Sequence, residues 1–97
     1  MSSAGQTAVT LVREFVLKNQ YGLHARPAAM FVKIASRHDA DLMVEKDGNK
    51  VSGKSILGLM TLEASFGSKL RITAAGADAE KALAELEDLI QRKFDED

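Results

Sequence analysis

Asp47-Gly48 separates two short extended-looking segments, the alternating run Asp41-Leu42-Met43-Val44-Glu45 before it and Asn49 to Ser52 after it. A two-residue type I′ turn needs positive φ at both central positions, and Asp-Gly is among the few pairs that supply them cheaply. The middle of the chain is therefore expected to be a β-hairpin, with Leu42 and Val44 inward. Two further stretches alternate in the same way. In Leu11 to Leu17, the residues Leu11, Phe15 and Leu17 share one pleat face, and in Ser68 to Ala74, Leu70 and Ile72 face inward while Lys69, Arg71 and Thr73 face outward. Between and after these strands the period changes to that of a helix. Ala28, Phe31, Ile34 and Ala35, with Val32, recur at helical spacing behind Pro27, and proline is tolerated in a first turn whose N–H groups have no intrahelical acceptor. Ser55 is placed to cap a short helix, Ile56 to Leu62. Asp78 is expected to cap a last helix carrying the apolar stripe Ala79, Ala82, Leu83, Leu86 and Ile90.

The order β-α-β-β-α-β-α predicts a two-layer α+β sandwich with one sheet face covered and the other open. At 97 residues, 45% apolar and 28% charged, the chain has room for one core and no more. We expect a flexible N-terminal tail over residues 1–9, a single domain over 10–93 and an acidic C-terminal tail over 94–97. The absence of cysteine excludes disulfides, thiol chemistry and cysteine-ligated metal, and no apolar run is long enough to span a membrane. No secretory signal is legible, so a cytoplasmic protein is expected. A net charge of −1 argues against general nucleic-acid binding.

That balance hides a local asymmetry. From Phe15 to His38 there is no Asp or Glu, yet Lys18, Arg26, Lys33 and Arg37 are all present. Within this basic stretch lies Gly22-Leu23-His24-Ala25-Arg26-Pro27-Ala28, which puts His24 where a loop becomes a helix. Free first-turn N–H groups and the helix dipole favour an anion there. Arg26 adds a donor fork suited to phosphate oxygens, and no carboxylate lies within nine residues on either side. An imidazole, with a reference pKa of about 6.5, is largely neutral at pH 7 and able to act as a nucleophile. The other histidine, His38, sits in a polar helix exit with no cluster around it and is assigned no function.

The segment Gly22 to Ala28 resembles the active-site signature of HPr, the histidine-containing phosphocarrier family of the bacterial phosphoenolpyruvate-dependent phosphotransferase system (PTS). Lys54-Ser55-Ile56-Leu57-Gly58 resembles that family's regulatory-serine segment, at a matching interval from the histidine. The resemblance covers roughly residues 10–92 and implies an open-faced β-sandwich, a four-stranded antiparallel sheet with three helices on one face. It implies a phosphocarrier rather than an enzyme: phosphorylated enzyme I would transfer its phosphoryl group to Nδ1 of His24, which would pass it to IIA components. Arg26 would assist, and Pro27 would help hold the loop-to-helix junction. No cofactor and no metal are implied.

Ile56, Leu57, Leu59, Met60 and Leu62 run around the whole circumference of the short helix, so some must stay exposed, as partner surfaces do. The resemblance makes Ile56, Leu57 and Met60 the outward, partner-binding set, together with Ala25 and Pro27, and leaves Leu59 and Leu62 inward. Ser55 would be a regulatory phosphorylation site, the substrate of an HPr serine kinase/phosphorylase. The alternatives are a nitrogen-type PTS paralogue and a regulatory interaction module of the same fold. The longer N-terminal tail and the acidic C-terminal one are expected to touch neither motif.

Overall fold

The structure is a computed structural model and describes residues 9–96; residues 1–8 of the expected N-terminal tail lie outside it. Its elements run β1 (Thr10–Val16), α1 (Ala25–Ala35), β2 (Asp41–Lys46), β3 (Asn49–Ser52), α2 (Ile56–Thr61), β4 (Lys69–Ala75) and α3 (Ala79–Gln91), followed by a single 3-10 turn, Lys93–Asp95. The order and the four-stranded sheet agree with the sequence reading. All strand pairs are antiparallel, in the spatial order β1-β4-β2-β3.

The hairpin forms at Asp47-Gly48, where φ is +51° and +84°, so Lys46 pairs with Asn49 across a two-residue turn. Register then decides which side chains share a face. Phe15 stands opposite Leu70, Val44 opposite Ile72 and Leu42 opposite Ala74, and all six are buried. The three helices cover this apolar face: Phe31 of α1, Leu59 of α2, and Leu83, Leu86 and Ile90 of α3 are almost fully enclosed in the same core. The opposite face keeps Val12, Glu14, Val16, Lys69 and Arg71 in solvent.

Two expectations are corrected. Asp78 does stand at the start of α3, but its side chain does not cap that helix. Its Oδ2 instead accepts the backbone N–H of Asp39 at 2.8 Å, tying the approach to β2 onto the start of α3. The domain also does not stop at residue 93. Phe94, assigned to the tail on sequence, is 1% exposed and belongs to the core. It gets there through consecutive left-handed residues, Lys93, Phe94 and Asp95, at φ +59°, +55° and +58°. None is glycine, and each such residue costs about 1–2 kcal/mol. Burial of the Phe94 ring returns roughly 1.5–3 kcal/mol. Arg92 adds hydrogen bonds to Asp95 and Asp88, which hold its guanidinium above its usual pKa, Asp95 contributing most.

Candidate functional site

The loop between β1 and α1 is fastened at several points before it reaches His24. The Leu17 amide donates to the Ser68 carbonyl at 2.9 Å, and the Gly67 amide donates to the Leu17 carbonyl at 2.9 Å. Asn19 is fully buried, and its Nδ2 donates to the Gly22 carbonyl at 2.8 Å. Gly22 has φ +66°, and a Cβ there would sit 2.1 Å from the Ala64 carbonyl oxygen, so the close backbone approach requires glycine. Leu23 is buried, and its amide donates to that same carbonyl at 2.9 Å.

His24 is the N-cap of α1, with extended backbone at φ −79° and ψ −173°, and its side chain makes no capping hydrogen bond. Its carbonyl accepts the Ala28 amide at 3.0 Å. The amides of Ala25 and Arg26 have no intrahelical acceptor, and buried Pro27 has no N–H to satisfy. The imidazole is 41% exposed. Tyr21 approaches it edge-on, with ring centroids 6.2 Å apart. Arg26 is exposed and makes no ion pair among the described residues. It lines a surface hollow of about 440 Å³ with Gln20, Tyr21, Asp95 and Glu96. The arrangement sets a half-exposed imidazole beside first-turn amides and a guanidinium, groups able to donate hydrogen bonds to an anion.

One neighbour overturns an expectation. Glu96 lies 72 residues along the chain, and its Oε2 stands 2.9 Å from Nε2 of His24. Its Oε1 accepts from Nδ2 of Asn19 at 3.1 Å, and the carboxylate is 16% exposed. The C-terminal segment therefore does touch the histidine motif, and the local absence of carboxylates is made good by the fold. Nothing in the sequence near His24 signals this contact; it depends on Phe94 and the left-handed turn. His38 also has a neighbour after all. Its ring is 9% exposed and its Nε2 lies 3.1 Å from Glu85 Oε1, near enough for an ion pair though poorly aligned for a hydrogen bond.

The second motif folds as read. Ser55 is the N-cap of α2, and its Oγ accepts the Gly58 amide at 2.9 Å. A Cβ on Gly58 would come within 3.1 Å of that same Oγ and 3.3 Å of the Val51 side chain, a tight fit that a small displacement of either neighbour would relieve. Ile56, Leu57 and Met60 are 41%, 76% and 38% exposed, whereas Leu59 and Leu62 are buried. Among the described residues, no three His, Asp or Glu side chains gather as a metal site requires.

The family model for the PTS HPr component phosphorylation site matches residues 11–92. The chain belongs to the HPr family. HPr proteins are phosphocarriers that work with the other proteins of the PTS. The phosphocarrier protein HPr of Borreliella burgdorferi is 48% identical over 79 residues, which is 81% of this chain and 92% of that protein. The HPr-like protein Crh of Bacillus subtilis is 47% identical over 72 residues, 74% of this chain and 85% of its own. Among solved structures, HPr-C-His from Thermoanaerobacter tengcongensis superposes with a TM-score of 0.86 at 46% identity, covering 90% of this chain and 98% of the other. Within the HPr family the fold is thus confirmed as the open-faced sandwich. Among the described residues no helix is long and apolar enough to cross a membrane.

Proposed function

We propose that this protein accepts a phosphoryl group from phosphorylated enzyme I on Nδ1 of His24 and passes it, in the cytoplasm, to IIA components of the PTS. The observation that carries this reading is the state of His24. It is an N-cap whose ring is not spent on capping, half exposed beside the open amides of Ala25 and Arg26. An incoming phosphoryl group would meet those amides, the positive end of α1 and the Arg26 guanidinium. The partner would rest on the exposed residues Ala25, Ile56, Leu57 and Met60, with Ser55 the regulatory site at the edge of that patch; Pro27, expected on this surface from the sequence, is buried and takes no part in it.

The test is incubation with phosphoenolpyruvate and enzyme I, followed by intact mass measurement. One acid-labile, base-stable phosphate on the wild type and none on His24→Ala is the expected result. Phosphate persisting on the alanine variant assigns the acceptor elsewhere. The likeness to Crh supports a second reading, a regulatory module acting through Ser55 alone. The presence of both His24 and Arg26 in this chain favours the carrier.

A further inference from the structure

We propose that Glu96 is a positioning residue for phosphoryl transfer, its carboxylate holding the Nε2–H of His24 so that Nδ1 is left as the unprotonated nucleophile. The proposal rests on the reading of His24 as acceptor and goes beyond it, because Glu96 lies outside the segment, residues 11–92, that matches the family.

An ionised carboxylate only accepts hydrogen bonds. Oε1 of Glu96 already has its donor in Nδ2 of Asn19, at 3.1 Å. Oε2 stands 2.9 Å from Nε2 of His24, and the contact is favourable only when Nε2 carries the proton. In a neutral imidazole the other nitrogen, Nδ1, then bears a free lone pair. Asn19 makes the orientation firm. It is fully buried, and the same Nδ2 donates to the Gly22 carbonyl two residues before the histidine. The rest of the scaffold is the left-handed turn over Lys93, Phe94 and Asp95, with Phe94 locked in the core and the Glu96 amide bonded to the Lys93 carbonyl at 2.9 Å. Backbone strain of this kind persists where surrounding packing fixes it, commonly at a working site.

The chemistry follows from that placement. The Nδ1 lone pair attacks phosphorus, the Nδ1–P bond forms, and the bond from phosphorus to the donor's leaving atom breaks with its electron pair going to that atom. No proton departs, and Nε2–H stays in its hydrogen bond. Positive charge that spreads onto the ring as Nδ1 bonds is met by the Glu96 carboxylate.

Two measurements on the folded, full-length protein test this: imidazole ¹⁵N NMR of His24, and the rate of transfer from phosphorylated enzyme I. In the wild type the neutral ring should be almost wholly the Nε2–H tautomer. Glu96→Ala should give a mixture of tautomers and slow transfer on the order of tenfold, the loss of one charge-assisted hydrogen bond. Glu96→Gln is sharper. Asn19 will take the amide oxygen, turning the NH₂ group toward His24, so Nδ1–H should gain population and transfer should slow further than in the alanine variant. A structural role alone would not invert the tautomer. Equal tautomer populations and equal rates in all three proteins would overturn the proposal, as would faster transfer in Glu96→Ala, which would make the contact inhibitory. Failure of the wild type itself to take up phosphate would instead remove the acceptor reading on which the proposal stands.

Discussion

The amide of Leu23 donates to the carbonyl of Ala64 at 2.9 Å, joining the loop that carries His24 to the chain just past α2. Gly22 makes this junction possible, since a Cβ at that position would lie 2.1 Å from the same oxygen and 2.6 Å from Ser65 Cα. Backbone on that side cannot move aside as a side-chain end would. Gly22→Ala should therefore cost roughly 2–5 kcal/mol, combining left-handed strain with overpacking. Thermal denaturation checks it: a fall in Tm of more than about 10 °C is expected for a domain of this size. A Tm within a degree or two of wild type would show that the junction can be rebuilt.

Arg26 is exposed and unpaired among the described residues, so removing it should leave the fold alone. Arg26→Ala should slow phosphoryl transfer by roughly ten- to a hundredfold, the worth of one charge-assisted contact. Arg26→Lys should recover part of that loss, because charge remains while the planar fork does not. Rapid-quench transfer kinetics at matched ionic strength would measure both, and unchanged rates would take Arg26 out of the mechanism.

The two sides of α2 should respond in opposite ways. Leu57→Glu and Met60→Glu alter side chains that are 76% and 38% exposed, and should weaken binding to enzyme I with little change in Tm. Leu59→Ala empties a fully enclosed site and should cost about 2–5 kcal/mol. Calorimetric titration against enzyme I beside melting curves separates the two effects. A large stability loss from Met60→Glu would place Met60 in the core.

Phosphorylation of Ser55, or Ser55→Asp as a weaker mimic, should raise the apparent KM for enzyme I while leaving Tm nearly unchanged. The added charge, roughly −1.5 to −2 for a phosphate, sits at a helix start that tolerates it and beside an apolar surface that does not. Ser55→Ala should act differently, losing the bond to Gly58 and about 0.5–2 kcal/mol of stability with transfer little altered. Identical transfer kinetics for wild type, Ser55→Asp and stoichiometrically phosphorylated protein would leave the serine as a cap alone.

The parts of this molecule legible in its sequence are those set by near neighbours. Asp47-Gly48 specifies a turn through its own φ angles, Ser55 caps a helix three residues from the amide it accepts, and the α2 side chains divide by helical angle. What escaped depends on distant contacts. Asp78 stands where a cap for its own helix is expected, but its carboxylate takes a donor from across the chain, the Asp39 amide. Phe94 follows three basic or polar residues, and no glycine or asparagine marks the left-handed turn that buries it. Without that turn Glu96 is one more charge in an acidic tail. With it, the carboxylate becomes part of the histidine's surroundings.

Strand order carries a consequence for how the protein is made. β4 alone joins β1 to the β2–β3 hairpin, and β1 pairs with it across most of the sequence. On the ribosome, β1 and the histidine motif emerge early but have no sheet to belong to until Lys69–Ala75 has followed. The last fastening, through Phe94 and Glu96, waits for the segment that follows α3. Long-range pairing of this kind is slow to form and cannot begin before its partner exists. A chain clipped before residue 94 would still tether the loop through Leu17 and Leu23, yet it would present the His24 ring without its carboxylate neighbour.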